Sequence, residues 1–436
     1  MIDSKRLTSR GPIGDAARLS HFQEIAEKFV LAYFSSNLYD EAGAWMSSYL
    51  SDPEIENIKE QMSGHLSLLF APELDERAVS SRTLAMARAH VLTGVPFNWM
   101  IELIPLVVEV FKKEMEGEAS SSDLDLRCAK LEVLLHRQMK FVLDFENQRE
   151  KSHIAFLHEL SQITNKASTP SDLIQEVLKA LCQLDGITGA YFGRFNSGEE
   201  FRYEYIEGES FELLREFSDN GQLAPVSKLS GTITGLGPAG RAWRSGEIQY
   251  SPSIKRDPTM APWAEACNSF GVRSLAQLPI TDIQGDPLAL IGIYSCWPGY
   301  FGAPSIHRLL ELVRQQVSST WTRLGVPSVL SNETRKIFQG MLGESRIDMV
   351  YQPIIDLKTG RVHKLEALAR LRDQSEKHLI PDDFLSAFGA DDLFELFKLG
   401  FSQGTEALAF WREHGIDTQV SFNLTAGGFF DSRCNR

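Results

Sequence analysis

A C-terminal segment places an acid and a base where they could act together. The residues RVHKLEALARL (361–371) predict a strand, in which successive side chains point to opposite faces. Glu366 and Arg370 then share one face with Leu368, and the opposite face holds Leu365, Ala367 and Ala369. This pattern indicates polar chemistry at the mouth of a barrel, although an ordinary exposed strand face would look the same.

A histidine near the end of a helix is the second candidate. His90 lies in MARAHVLTGVPFNWM (86–100), an alanine-rich helical segment that ends before Gly94 and Pro96. A neutral imidazole on a helix in an apolar pocket is a common axial ligand of haem iron. A histidine with a purely structural role is the alternative.

Three successive patterns predict the elements that hold these residues. Apolar residues recur at helical spacing through residues 18–150. Residues 170–325 combine terminal helices with short β-rich runs, an α+β order. From residue 337 a strand, a turn, a second strand, helices and a third strand, TQVSFNL, follow.

A long segment between the first two patterns contains neither proline nor glycine. Residues 123–166 therefore predict one continuous helical connector, which we interpret as a dimer stalk. Two ordinary helices with a break near Asn147 are the alternative.

Composition excludes several classes of protein. The net charge of −14 argues against a nucleic-acid-binding face and against a polybasic membrane anchor. The polar start predicts no signal peptide, and no stretch approaches the roughly 18 apolar residues of a membrane span. The five cysteines are scattered without a CxxC pair, which favours free thiols and a cytoplasmic location. Cys267 and Cys296 are predicted to be buried apolar side chains.

The C-terminal motifs resemble a known enzyme family. YQPIIDLKTGRVHKLEALARLR (351–372), Ile380-Pro-x-x-Phe384 and VSFNLT (420–425) resemble the N-terminal part of EAL-type cyclic-di-GMP phosphodiesterases. The resemblance implies that Glu366 and Asn423 bind Mg²⁺ or Mn²⁺ and that Gln352 and Arg370 contact the dinucleotide. It also implies that the family's later acidic ligands are missing, so we expect an incomplete (β/α)8 barrel without a complete catalytic set.

The helical segment resembles the sensor globins of globin-coupled sensors. The resemblance covers residues 15–150 and rests on His-x-x-x-Gly-Val-Pro, about 40 residues after Tyr49-Leu-Ser. By it, His90 is the proximal ligand of haem b and Tyr39 is the distal tyrosine that hydrogen-bonds O2 or another diatomic gas. Tyr33 is the fallback for the distal tyrosine. Ile58 and Met62 match distal apolar residues.

The middle segment resembles GAF domains. The resemblance rests on residues 237–295, with Gly240-Arg-Ala, Asp257-Pro, Ser274-Leu-Ala-Gln-Leu-Pro-Ile and Leu290-Ile-Gly-Ile-Tyr. GAF domains bind small ligands or dimerise, and the sequence leaves the ligand open.

The sequence thus predicts a multidomain chain: an all-α globin-like sensor (15–150), an α+β GAF domain (151–327) and a truncated EAL domain (335–436). We expect haem-based gas sensing that controls cyclic-di-GMP hydrolysis in the full-length protein, a homodimer, and a chain that is itself catalytically inactive. The alternative is a non-catalytic sensor or dimerisation protein with a haem-free helical domain and a vestigial EAL segment.

Overall fold

The computed structural model describes residues 13–71, 75–118, 120–196, 199–208, 223–325, 330, 332–373 and 375–424. The chain divides into two compact units. The first comprises residues 1–152, 251–258 and 296–306, and the second comprises residues 153–250, 259–295 and 307–436.

Helices build the first unit. Their bounds are α1 (Ile13–Phe34), α2 (Tyr39–Tyr49), α3 (Asp52–Phe70), α4 (Glu76–Thr93), α5 (Phe97–Met115) and α6 (Ser121–Lys166), the last of which continues into the second unit. The apolar stripe predicted for α1 is buried at Phe22, Ile25, Phe29 and Tyr33. These side chains form one core with residues of the other helices, which confirms the helical N-terminal region.

Local signals set where these helices begin and end. The backbone N–H of Ser51 donates to the carboxylate of Glu54 at 2.8 Å, and the Asp75 carboxylate accepts the N–H of Arg77 and Ala78. Gly94 ends α4 with a φ of 77°, a left-handed conformation that only glycine adopts readily. The start of α3 and both ends of α4 are thus fixed by short-range chemistry.

Helix α6 runs without interruption for 46 residues. The prediction of one continuous connector is therefore confirmed, and no break occurs near Asn147.

The second unit contains two sheets. The five-stranded sheet comprises β1 (Ile187–Phe195), β2 (Phe201–Glu207), β3 (Gln249–Ser251), β4 (Ser274–Thr281) and β5 (Pro287–Ser295), in the order β2-β1-β5-β4-β3. Helices of this part are α7 (Pro170–Cys182), α8 (Pro238–Ser245), α9 (Ala264–Ser269) and α10 (Pro304–Leu324). Strand β1 is antiparallel to β2 and β5, so this part has the predicted α+β character.

The four-stranded sheet follows helix α11 (Asn332–Gly343). Its strands are β6 (Ile347–Ile355), β7 (Val362–Arg372), β8 (His378–Leu379) and β9 (Val420–Phe422), with helices α12 (Pro381–Phe384) and α13 (Ala390–Glu413) between the last two. Strands β6 and β7 form an antiparallel hairpin, whereas β9 pairs with β7 in parallel after α13. The chain therefore returns through a helix to place β9 beside the strand that carries Glu366.

None of the helices in the described ranges is long and apolar enough to cross a bilayer.

Candidate functional sites

Three of the predicted C-terminal site residues lie together on the four-stranded sheet. Gln352 of β6 lies directly opposite Glu366 of β7, and Ser421 of β9 lies on the other side of Glu366. Asn423 follows β9 at once, and its Nδ2 donates to Glu366 Oε1 at 2.9 Å. Strand register thus brings an exposed amide to a half-buried carboxylate that lies 57 residues away in sequence.

Arg370 lies apart from this group. It stands opposite Asp348 in the β6–β7 register, four residues beyond Glu366 along β7. Its Nη1 donates to the carbonyl of Ala369 at 2.8 Å. The shared strand face is as predicted, but no described hydrogen bond joins Arg370 to Glu366.

The donor set at Glu366 suits a hard cation in part. One carboxylate and one amide oxygen are ligands that Mg²⁺ accepts, with waters and phosphate oxygens completing its coordination. The assignment of the Asn423 amide nitrogen and oxygen is interchangeable, so the oxygen can turn toward a cation. Across the described residues, no group of three or more His, Cys, Asp or Glu side chains is placed to hold a metal ion.

An apolar cavity of about 260 Å³ borders the same strands. Ala367 and Ala369 of β7, Phe397 and Gly400 of α13, and Asn423 are among its lining residues. The cavity lies between the sheet and α13, so Asn423 stands at the boundary between a polar strand end and an apolar interior.

His90 lies three residues before the end of α4 and is half-buried. Its Nδ1 lies 2.8 Å from the carbonyl oxygen of Met86, one turn earlier, so the hydrogen of the neutral ring sits on Nδ1. Burial lowers the pKa of His90 most, and the nearby His65 lowers it further, while the bond to Met86 opposes the shift. The ring therefore stays neutral, with its lone pair on Nε2.

The other residues predicted for the gas pocket lie on α2 and α3. Tyr39 and Met62 are half-buried and pack against the helical core, to which Ala87 and Val91 beside His90 also belong. Ile58 is half-buried one turn before Met62. No described hydrogen bond links any of these side chains to His90.

Tyr33, the fallback for the distal tyrosine, is part of the core. It is 3% exposed, and its ring contacts that of Tyr39 edge to face at 5.6 Å. Burial raises the pKa of Tyr33 to about 12. Both tyrosines therefore border one apolar region, and Tyr39 is the more accessible of the two.

One buried polar pair was missed by the sequence analysis. His65 of α3 and Gln138 of α6 are 8% and 5% exposed, and His65 Nε2 lies 3.1 Å from Gln138 Oε1. His65 Nδ1 and Gln138 Nε2 have no hydrogen-bond partner among the described residues. Its burial could have been predicted from spacing, because His65 follows Met62 by three residues and so lies on the same face of α3.

A small cavity of about 40 Å³ lies against the five-stranded sheet. Tyr191, Tyr203 and Tyr294 line it, and the Tyr191 hydroxyl donates to Gln277 Oε1 at 2.8 Å. Burial raises the pKa of all three phenols, so each is neutral. Among its described lining residues there is no lysine or arginine. The polar contacts that this cavity offers are therefore uncharged.

Comparison with protein families assigns the two parts of the second unit. Residues 167–321 match the GAF domain family, and residues 335–435 match the EAL domain family. The chain contains a GAF domain and an EAL domain. The five-stranded sheet and its aromatic cavity belong to the GAF domain, and Glu366 with Asn423 belongs to the EAL domain. Both predicted resemblances are confirmed at this level.

Similarity to individual proteins is more limited. "Oxygen sensor protein DosP" of Escherichia coli (strain K12) is 27% identical over 128 residues, which are 28% of this chain and 16% of that protein. The chain thus spans about one sixth of its length. A GAF domain of A. aeolicus is 16% identical with a TM-score of 0.32 and covers 40% of this chain and 98% of its own. A phosphotransferase GAF domain from Coxiella burnetii is 13% identical with a TM-score of 0.30, over 40% of this chain and 94% of its own.

The two cysteines singled out near the GAF domain differ in environment. Cys267 is 7% exposed and lines the aromatic cavity, and burial raises its pKa to about 12, so it is an inert apolar side chain as predicted. Cys296 is exposed, and the prediction of burial was wrong there. It follows the last residue of β5, where the chain has left the sheet.

Proposed function

We propose that this chain belongs to a signal-transduction protein in which gas sensing at haem b controls the hydrolysis of cyclic-di-GMP by the full-length protein, the chain itself being catalytically inactive. The observation that carries the output half is the EAL domain match together with the contact between Glu366 and Asn423. The sensing half is supported by the neutral His90, which lies on α4 beside the core residues Ala87 and Val91, and by the name of the DosP relative, an oxygen sensor protein.

In the EAL domain, Glu366 and Asn423 hold Mg²⁺ or Mn²⁺, and Gln352 and Arg370 contact the dinucleotide. The metal, when bound, activates water and neutralises phosphate charge. Gln352 supports this assignment because it lies directly across the hairpin from Glu366, where it can reach a phosphate held there.

Metal binding tests the output half. We expect Glu366→Gln to weaken Mn²⁺ binding at least about tenfold, because it removes the charged ligand. Titration of the full chain with Mn²⁺, followed by electron paramagnetic resonance, measures this. Glu395→Gln, on the exposed side of α13, removes the same charge elsewhere and should change nothing. Equal Mn²⁺ affinity in both variants would refute the metal site.

In the helical region, His90 would hold haem b through Nε2, Tyr39 would serve as the hydrogen-bond donor to a bound gas, and Ile58 and Met62 would be apolar neighbours. Haem iron supplies reversible binding of O2 or another diatomic gas. The bond between His90 Nδ1 and Met86 supports the role of His90, because it orients the ring and fixes the tautomer that leaves Nε2 available.

Haem uptake tests the sensing half. We expect the full chain to bind haem with a Soret band that shifts with O2, and His90→Ala to lose that band until imidazole is added. His136 is the matched control, because its Nδ1 also lies 2.9 Å from the carbonyl one turn earlier, but its side chain is exposed on α6. Failure of an otherwise folded chain to take up haem would refute the sensing half.

Other partners follow from the same proposal. The GAF domain takes an unidentified ligand in its aromatic cavity, and two copies of the chain associate through α6 as a homodimer. A non-catalytic sensor with a haem-free helical domain is the alternative function. The close aromatic and aliphatic packing of the helical core supports that alternative, and haem uptake decides between the two.

A further inference from the structure

A buried ion cluster joins the GAF domain to the first helix of the EAL domain, both within the second unit. Glu204 of β2 accepts hydrogen bonds from Arg194 of β1 at 2.6 and 2.9 Å and from Arg335 of α11 at 3.3 Å. Glu204 is fully buried, and each arginine is 2% exposed. We call these three residues the junction triad.

Aromatic rings and a carbonyl also contact the two guanidinium groups. Arg335 lies 4.2 Å from the ring centre of Tyr205 and donates to the carbonyl of Ser386. Arg194 lies 5.4 Å from the ring centre of Trp321. Two cations thus share one carboxylate, and cation–π contacts stabilise the positive charge that remains. Substituting Arg335 would leave Glu204 with one partner, whereas substituting Glu204 would leave two buried cations.

A β-bulge places Glu204 in this cluster. Phe192 of β1 pairs with Tyr205, but the next residue, Gly193, pairs with Tyr203, so Glu204 is the extra residue of β2. Tyr203 lines the aromatic cavity, whereas Tyr205 lies under Arg335. In a regular strand these two tyrosines would share a face, and the extra residue separates them.

A second contact fixes the same two domains to each other. The carboxylate of Asp172, on the GAF helix α7, accepts the backbone N–H of Ala390 at 3.0 Å, where α13 of the EAL domain begins. The junction triad is therefore part of a packed interface in which backbone and side chains both participate.

We propose that strand β2 transmits the occupancy of the aromatic cavity to the EAL domain through the ion pair of Glu204 with Arg335. Tyr203 contacts whatever fills the cavity. The bulge turns the carboxylate of the next residue, Glu204, toward Arg335 instead of the cavity. A displacement of Tyr203 moves Glu204 relative to Arg335 and loosens α11. The proposal goes beyond the assignment of a GAF ligand and needs no identity for it.

The test fills the cavity with a substitution in α9 and measures the hydrogen–deuterium exchange of α11. Ala266 lines the cavity from α9. The substitution Ala266→Leu therefore fills part of the cavity and leaves every residue of β2 unchanged. Ala264→Leu adds the same volume to the same helix outside the cavity and is the control. Hydrogen–deuterium exchange of residues 332–343 in the full chain is the measurement. We expect exchange to become at least about threefold faster with Ala266→Leu and to stay unchanged with Ala264→Leu.

The ion pair is then removed in the same experiment. In an Arg335→Met background, which leaves Glu204 paired with Arg194, Ala266→Leu should no longer alter the exchange of α11. If that background does not fold, Arg335→Lys replaces it. Lysine keeps the positive charge but lacks the planar guanidinium that reaches Glu204 and the Tyr205 ring, so Ala266→Leu should then accelerate the exchange of α11 less. The proposal is wrong if α11 does not respond in the natural background, or if it responds equally without the Arg335 guanidinium.

Discussion

His65 illustrates what one buried side chain imposes on the helical unit. Its Nε2 donates one hydrogen bond, to Gln138 Oε1, and its other ring nitrogen has no partner in the described part of the chain. Burial is the main reason that its pKa is lowered, so the folded state holds it neutral. An unfolded chain has no such constraint, which makes the stability of this unit depend on pH.

We expect the stability contribution of His65 to be present above about pH 6.5 and to be lost as the pH falls below it, because the unfolded chain then binds a proton that the folded chain resists. The loss is about 1.4 kcal/mol per pH unit, down to the folded pKa. His65→Gln should flatten this slope, and His136→Gln should not. Urea unfolding of the full chain between about pH 5 and 7 measures it; identical slopes would contradict the buried neutral ring.

Helix α6 has apolar residues on two opposite sides, only one of which is buried. One side packs into the helical core through Cys128, Leu131 and Leu135. On the opposite side, Leu126 and Val133 lie one heptad apart and are 54% and 67% exposed. Apolar residues at heptad spacing on an exposed helix face favour pairing with another helix.

We therefore expect Val133→Glu to weaken dimerisation of the chain at least about tenfold, since it would bury a charge in the pairing face. Sedimentation equilibrium over a range of concentrations measures the effect. Leu84→Glu, at a residue that is 56% exposed on α4, adds the same charge at another exposed apolar residue and should leave the dimer intact. A chain that is monomeric before any substitution would remove the proposed role of α6.

The elements were predictable to different degrees, for physical reasons. Helical spacing and the absence of proline and glycine sufficed for α1 and α6, because both are local properties. Alternation sufficed to place Glu366 on one face of β7. The approach of Asn423 to Glu366 depends on the register between β7 and β9, which α13 sets from a distance. The bulge at Glu204 also depends on the pairing of β1 with β2, and the residues around Glu204 do not predict it on their own.

At the scale of the whole molecule, the described structure presents a polar strand surface with two candidate metal ligands and a set of domains that could regulate it. Two-metal hydrolysis needs several acidic ligands around both ions. Within the described ranges, no three His, Cys, Asp or Glu side chains are grouped so that they could hold a metal ion. The expectation of inactivity thus rests on the composition of this site.

We expect residues 1–436 to convert no cyclic-di-GMP to the linear dinucleotide in the presence of Mg²⁺ or Mn²⁺. Chromatographic separation of the two nucleotides after incubation measures this. Turnover that Glu366→Ala abolishes would contradict the expectation and would require further ligands from a second chain. Turnover that survives Glu366→Ala would come from a contaminating enzyme.

The extra residue in β2 also matters to anyone who builds chimaeras from this chain. Deleting Glu204 would restore a regular ladder and leave the aromatic wall with the same sequence, yet the strand would lose the carboxylate that meets Arg335. A grafted GAF module with an unbroken β2 would present the wrong side chains to α11. Both domains of such a hybrid could fold although the ion pair between β2 and α11 is missing. A GAF domain for grafting therefore needs the same number of residues in β2 as this chain has.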